Sequence, residues 1–164
     1  LLRKPIIILP GQGFSEKFKP NSGDIAGVAI PRDSMVLAAE SVCLGFEKPF
    51  DGFNPVIHEL AHYLYFDIFN IVTPCDDSPI GLTAGQLEAW QEVKEAEWEK
   101  LEKKKSPLQP YALSGNGELF ACSVEMFFEN PGPLKEKSSE LYKLLSEYFK
   151  LDTARLYIDA GQAR

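Results

Sequence analysis

Apolar residues recur along this chain at two different periods, and the change of period divides it. Residues 5–9 (PIIIL) are a β-branched run that stops at Pro10-Gly11-Gln12-Gly13, which predicts a buried strand entering a loop that lasts to about Gly23. Residues 25–30 (IAGVAI) and 34–38 (SMVLA) predict two more strands, joined by the turn-like Pro31-Arg32-Asp33. Residues 40–53 read as loop or short helix. The period then lengthens: Val56, Ile57, Leu60, Ala61, Leu64 and Ile68 are apolar at spacings of three and four, as on one face of a helix. Asn54 can cap its free backbone donors, Pro55 suits the first helical position, and the helix must stop before Pro74.

The second half of the chain is mostly helical in pattern. A loop (PCDDSPIGL, residues 74–82) precedes Thr83, which forms a capping box with Gln86. The helix it opens carries Leu87, Trp90, Val93, Trp98 and Leu101 on an apolar stripe and ends in Lys103 to Lys105, as the helix dipole favours. This helix reads as structural. After a loop at residues 106–116, with Pro107, Pro110 and Tyr111, a helix is predicted over 117–129, closed by Asn130-Pro131-Gly132-Pro133. A last amphipathic helix, about residues 139–150, turns Leu141, Leu144, Leu145, Tyr148 and Phe149 inward, and the tail from Asp152 reads as peripheral.

Composition narrows the function classes. A chain of 164 residues is one domain by the usual prior and long enough for a sizeable core. Lys and Arg number 17 against 24 acidic residues, a net charge of −7, and the one basic run follows an acidic stretch. That argues against a nucleic-acid partner or an anionic membrane surface. No segment approaches the roughly 18 apolar residues of a membrane span. Three cysteines, Cys43, Cys75 and Cys122, lack CxxC spacing, which predicts no disulfide framework and a reducing, cytoplasmic compartment. The chain opens at Leu1 without a methionine, so secretion stays open and a leader or upstream segment is expected.

Chemistry concentrates at residues 58–62, which read HELAH and hold both histidines of the chain. On a helix, His58 and His62 lie one turn apart on one face, so both imidazoles can reach one metal ion. Glu59 sits where a carboxylate can reach a water on that metal without becoming a ligand. Two half-buried histidines on an amphipathic helix are the plainer reading, but chance supplies this pattern only roughly once in a thousand chains of this composition. A catalytic zinc takes three protein ligands and leaves a position for water. The helix at 117–129 offers Glu118, Cys122 and Glu125 near one face, and spacing alone does not choose among them.

The run from Asp51 to His62 (DGFNPVIHELAH) resembles the Mlc titration factor A family of zinc peptidases. So do Glu118-Leu119-Phe120-Ala121 with Glu125-Met126-Phe127-Phe128-Glu129-Asn130-Pro131, and Leu141-Tyr142-Lys143-Leu144-Leu145 with Tyr148-Phe149. The resemblance spans about residues 32–152 and extends more remotely to the catalytic domain of anthrax lethal factor. It implies an α+β, zincin-like (gluzincin) metallopeptidase fold, a small mixed β-sheet packed on several helices, with residues 1–164 forming a single domain that lacks the family's upstream helical segment. It also implies Glu118 as third ligand of one Zn²⁺ per chain and Tyr111 beside the scissile carbonyl. The implied activity is hydrolysis of a peptide or protein substrate, with aminopeptidase action preferred; Glu125 is a weak candidate for the amino-group anchor and reads more readily as a residue supporting a ligand or the structure. The implied alternative is a binding protein that sequesters a transcriptional regulator. Three departures bear on substrate and partners: Tyr65 where the family has Asp, Ala38-Ala39-Glu40 where it has Ser-Trp-Asp, and Cys122 where lethal-factor-like enzymes place a second carboxylate.

Overall fold

In a computed structural model, residues 6–9, 26–30, 34–65 and 78–159 are described, and they form one three-strand sheet and seven α-helices. Strands β1 (Ile6–Leu9), β2 (Gly27–Ala29) and β3 (Met35–Ala38) lie in the order β1-β3-β2, β1 parallel and β2 antiparallel to the central strand. The sheet is therefore mixed. Ala38 N donates to Ala26 O and Ile30 N to Ser34 O, so in the alternating antiparallel pattern Gly27 and Ala29 turn their backbone groups away from β3. The buried member of the sheet is β3, with Met35 and Leu37 each 2% exposed. The first strand was expected to be buried but is not: Ile6 to Leu9 are exposed, on an edge strand paired with β3 on one side.

The helices are α1 (Ala39–Glu47), α2 (Pro55–Tyr65), α3 (Ala84–Glu102), α4 (Asn116–Glu129), α5 (Pro131–Lys137), α6 (Ser139–Phe149) and α7 (Thr153–Asp159), with a 3-10 turn at Pro110–Ser114. The capping box of α3 forms as the sequence predicts, Thr83 Oγ1 accepting from Gln86 N and Gln86 Oε1 accepting from Thr83 N. At the centre stands α4, buried on almost every side from Leu119 to Phe127. Phe120 lies 5.7 Å from the ring of Tyr65 and 5.6 Å from that of Trp90, and Phe127 packs on Tyr142 and Phe149. Each such side chain stabilises the fold by about 1.5–3 kcal/mol on burial.

Helix α1 starts directly at the end of β3 and makes a short helix within the segment read as loop or short helix. Three local outcomes differ from the sequence pattern. The Asn130-Pro131-Gly132-Pro133 break ends α4 but opens α5 at once, because proline in a first turn sacrifices no hydrogen bond. The tail forms α7, started by Asp152 Oδ1 accepting from Arg155 N, and it buries Thr153 and Ala154. On α2, Leu60 is 48% exposed while Glu59, Ala61, His62 and Tyr65 are buried. The histidine face is itself a packed face, because α4 and β2 close against it. The predicted continuation of α2 to Ile68, the Pro74 stop and Cys75 lie outside the described residues.

Candidate metal centre

Asn54 sets the start of α2, its Oδ1 accepting from Val56 N at 3.1 Å and Ile57 N at 3.3 Å. From that start, His58 and His62 fall one turn apart with ring centroids 5.0 Å from each other. Glu118 arrives from the first turn of α4, where the helix dipole favours a carboxylate. Its Oε2 lies 3.0 Å from His58 Nε2 and 3.4 Å from His62 Nε2. Ligand atoms about 2.0–2.2 Å from a tetrahedral ion stand roughly 3.3–3.6 Å apart, so these separations are close to the edges of a zinc coordination polyhedron. Two imidazoles and a carboxylate are also a donor set that zinc takes in catalytic sites. Of the three candidates left open by spacing, Glu118 groups with both histidines, whereas Cys122 and Glu125 group with His58 alone.

The charges of the cluster are strongly coupled. Burial disfavours an imidazolium at His58, but hydrogen bonds to Cys122, Glu118 and Glu125 outweigh it and push the pKa up to about 12. Burial likewise works against a charged Glu118, yet hydrogen bonds from His58 and His62 hold it at about 2. Metal-free, the centre is an ion pair, and a cation entering it must displace a proton.

Glu59 is 6% exposed and stands under the sheet edge. A side chain at Gly27 would come within 2.8 Å of Glu59 Cγ, so the bare backbone of Gly27 is what lets β2 close over this carboxylate. Burial raises the Glu59 pKa, opposed by His58, His62 and a hydrogen bond from the outward-turned Ala29 N–H. Tyr111, in the 3-10 turn, is 55% exposed, and its ring centroid lies 6.1 Å from that of His58. Burial and Glu118 raise its pKa. A cleft of about 220 Å³ joins these groups, lined among others by Gly27, Phe53, His58, Glu59, Tyr111 and Cys122.

On the far side of His58, Nδ1 lies 3.3 Å from Glu125 Oε2, and Glu125 Oε1 accepts from Asn54 N at 2.5 Å. Both Glu125 oxygens thus hold protein partners, and the residue also lines the cleft. Sequence reasoning missed the part played by Asn54 and Glu129: Asn54 Nδ2 donates to Glu129 Oε1 at 2.9 Å, and Glu129 Oε2 accepts from Phe50 N at 3.0 Å. The signal was the i, i+4 pair Glu125 and Glu129 on a helix otherwise rich in apolar residues.

Comparison with known proteins agrees with this geometry. The sequence profile of the glucose-regulated metallo-peptidase M90 family matches residues 13–150. Mlc titration factor A of Edwardsiella ictaluri is 31% identical over 117 residues, covering 67% of this chain and 43% of that protein. Mlc titration factor A of Pectobacterium atrosepticum is 28% identical over 104 residues, covering 62% and 39%. An uncharacterized Synechocystis protein is 25% identical over 127 residues, covering 72% and 43%. The chain thus spans less than half the length of these relatives. With a profile match over most of its length, the chain belongs to the glucose-regulated metallo-peptidase M90 family.

Proposed function

We propose that this chain is a zinc-dependent peptidase domain in which His58, His62 and Glu118 hold one Zn²⁺, with aminopeptidase action as its more specific form. The observation that carries the proposal is the meeting of both imidazole Nε2 atoms on one Glu118 oxygen, with His58, Glu59 and Tyr111 lining one cleft. When bound, zinc supplies Lewis acidity toward water and the peptide carbonyl. Glu59 takes the proton of the attacking water and passes it to the leaving amine. A burial-raised pKa suits a carboxylate that must hold that proton between the two steps. Tyr111 donates a hydrogen bond to the oxyanion of the tetrahedral intermediate, and its raised pKa keeps the phenol protonated. The outward backbone groups of Gly27 and Ala29 offer an extended peptide a strand to pair with, once the Ala29 N–H leaves Glu59.

The test is elemental analysis beside a peptide-library assay. Protein purified without added metal should carry about one zinc per chain and cleave peptides, and Glu118→Ala should lose both. Retention of full zinc by Glu118→Ala, with loss in Cys122→Ala or Glu125→Ala, would reassign the third ligand. A second reading follows from the names of the two Mlc titration factor A relatives: a surface that captures a transcriptional regulator, with the peptidase site secondary. In that case the zinc-loaded wild type shows no turnover, and His58→Ala leaves regulator binding intact.

A further inference from the structure

We infer that Glu125 is a positioning residue for the centre, holding the His58 ring through Nδ1 so that Nε2 faces Glu118 and is the nitrogen a metal takes. The inference rests on the metal-binding reading above. A neutral imidazole carries one proton, and Nε2 can offer a lone pair to a metal only when that proton sits on Nδ1. Glu125 Oε2 is 3.3 Å from Nδ1, while Nε2 on the opposite side of the ring is 3.0 Å from Glu118. A carboxylate can only accept, so Glu125 keeps a proton on Nδ1, and a metal entering beside Glu118 displaces the one on Nε2.

The carboxylate is itself fixed. Glu125 is 2% exposed, and its second oxygen accepts from Asn54 N at 2.5 Å. Asn54 cannot turn away, because its side chain caps α2 through Oδ1 and donates to Glu129 through Nδ2. The chain of contacts from Glu129 through Asn54 to Glu125 therefore ties the register of α2 to the orientation of the His58 ring. Bracing the backbone explains Glu129, which takes Phe50 N. It does not explain the Glu125 oxygen that faces the imidazole. Cys122 also adjoins His58, and Glu125, one helical turn farther along, supplies the carboxylate acceptor at Nδ1.

The experiment is nitrogen-resolved NMR of the imidazoles together with zinc affinity by chelator competition, on the full chain. With two histidines in the sequence, the signals separate readily. Zinc-loaded wild type should show His58 protonated at Nδ1, a result that needs no variant. Glu125→Gln keeps an acceptor for Asn54 N but turns an amide N–H₂ toward Nδ1. This variant should weaken zinc binding by roughly 10- to 100-fold and shift the His58 Nδ1–H signal, while Glu129→Gln should leave both nearly unchanged. An unprotonated Nδ1 in the loaded wild type, zinc or another cation on the Nδ1, Cys122 and Glu125 side, or equal effects of the two glutamine variants would overturn the inference while leaving a metal site in place. A wild type that takes up no zinc would overturn the metal-binding reading and this inference with it.

Discussion

Tyr111 is the residue whose role depends most on chemistry rather than packing. Its ring is half in solvent, so removing the hydroxyl costs little stability. In the proposed role of oxyanion donor it would act in the transition state, so Tyr111→Phe should lower kcat and kcat/KM together by roughly 10²-fold with KM little changed. Steady-state kinetics on an aminoacyl chromogenic substrate at equal zinc checks this, and equal rates would leave Tyr111 a covering aromatic. The His58 and Glu118 pair makes a second prediction, for metal-free protein. His58, raised from 6.5 to about 12, contributes stability that is complete below pH 6.5 and fades as pH rises through the folded value. Glu118, lowered from 4.5 to about 2, contributes stability that is complete above pH 4.5 and is lost as pH falls through the folded value. The pair's contribution should therefore be greatest between pH 4.5 and 6.5. Urea midpoints of chelator-treated wild type minus those of Glu118→Gln should peak there, and a difference flat with pH would contradict the assignment. Zinc competes with the His58 proton, so its apparent affinity should climb with pH.

At the scale of elements, the contact between α2 and α4 decides whether the ligands meet. Asn54 is the hinge of that contact, buried at 3% and bonded to the α2 start and to Glu125 and Glu129. Asn54→Ala should destabilise the protein by about 2–4 kcal/mol, from the lost cap and a stranded buried carboxylate, as read from urea unfolding. Asn54→Asp restores the cap and should still destabilise, because it sets a third carboxylate beside Glu125 and Glu129. Much of this layer was legible in the sequence. The HELAH helix, the Thr83 capping box, the strands and the α4 helix all follow from period and capping chemistry, while the mixed sheet was implied by the family resemblance. Other features were not, for physical reasons. Proline and glycine at 130–133 signal a break equally well when a new helix starts on the far side. Asp152 is a one-residue cap before a short helix, held also by Tyr142 Oη at 2.5 Å. Leu60 looked inward because apolar periodicity cannot register that the polar residues on the histidine face would be packed by another helix. Glu118 was one of three candidates by spacing, since which face of α4 meets α2 is a tertiary fact.

On the scale of the whole molecule, the centre draws together elements far apart in sequence: α2 and α4 supply its side chains and β2 covers Glu59. Metal and fold should then be linked. Zinc at about a thousand times its dissociation constant stabilises the folded state by roughly 4 kcal/mol, which for a domain near this size raises Tm by about 8–16 °C. Chelation should lower the melting temperature by that order, added zinc should restore it, and His58→Ala should respond to neither. The central claim is that the cluster hydrolyses peptides with Glu59 as its base. The most direct measurement is the turnover of zinc-loaded wild type and Glu59→Gln on a peptide library at equal zinc content. The wild type should cleave, and the variant should retain zinc while its turnover falls by roughly 10²- to 10⁴-fold. Near-normal turnover in Glu59→Gln, or no cleavage by the zinc-loaded wild type, would contradict the claim.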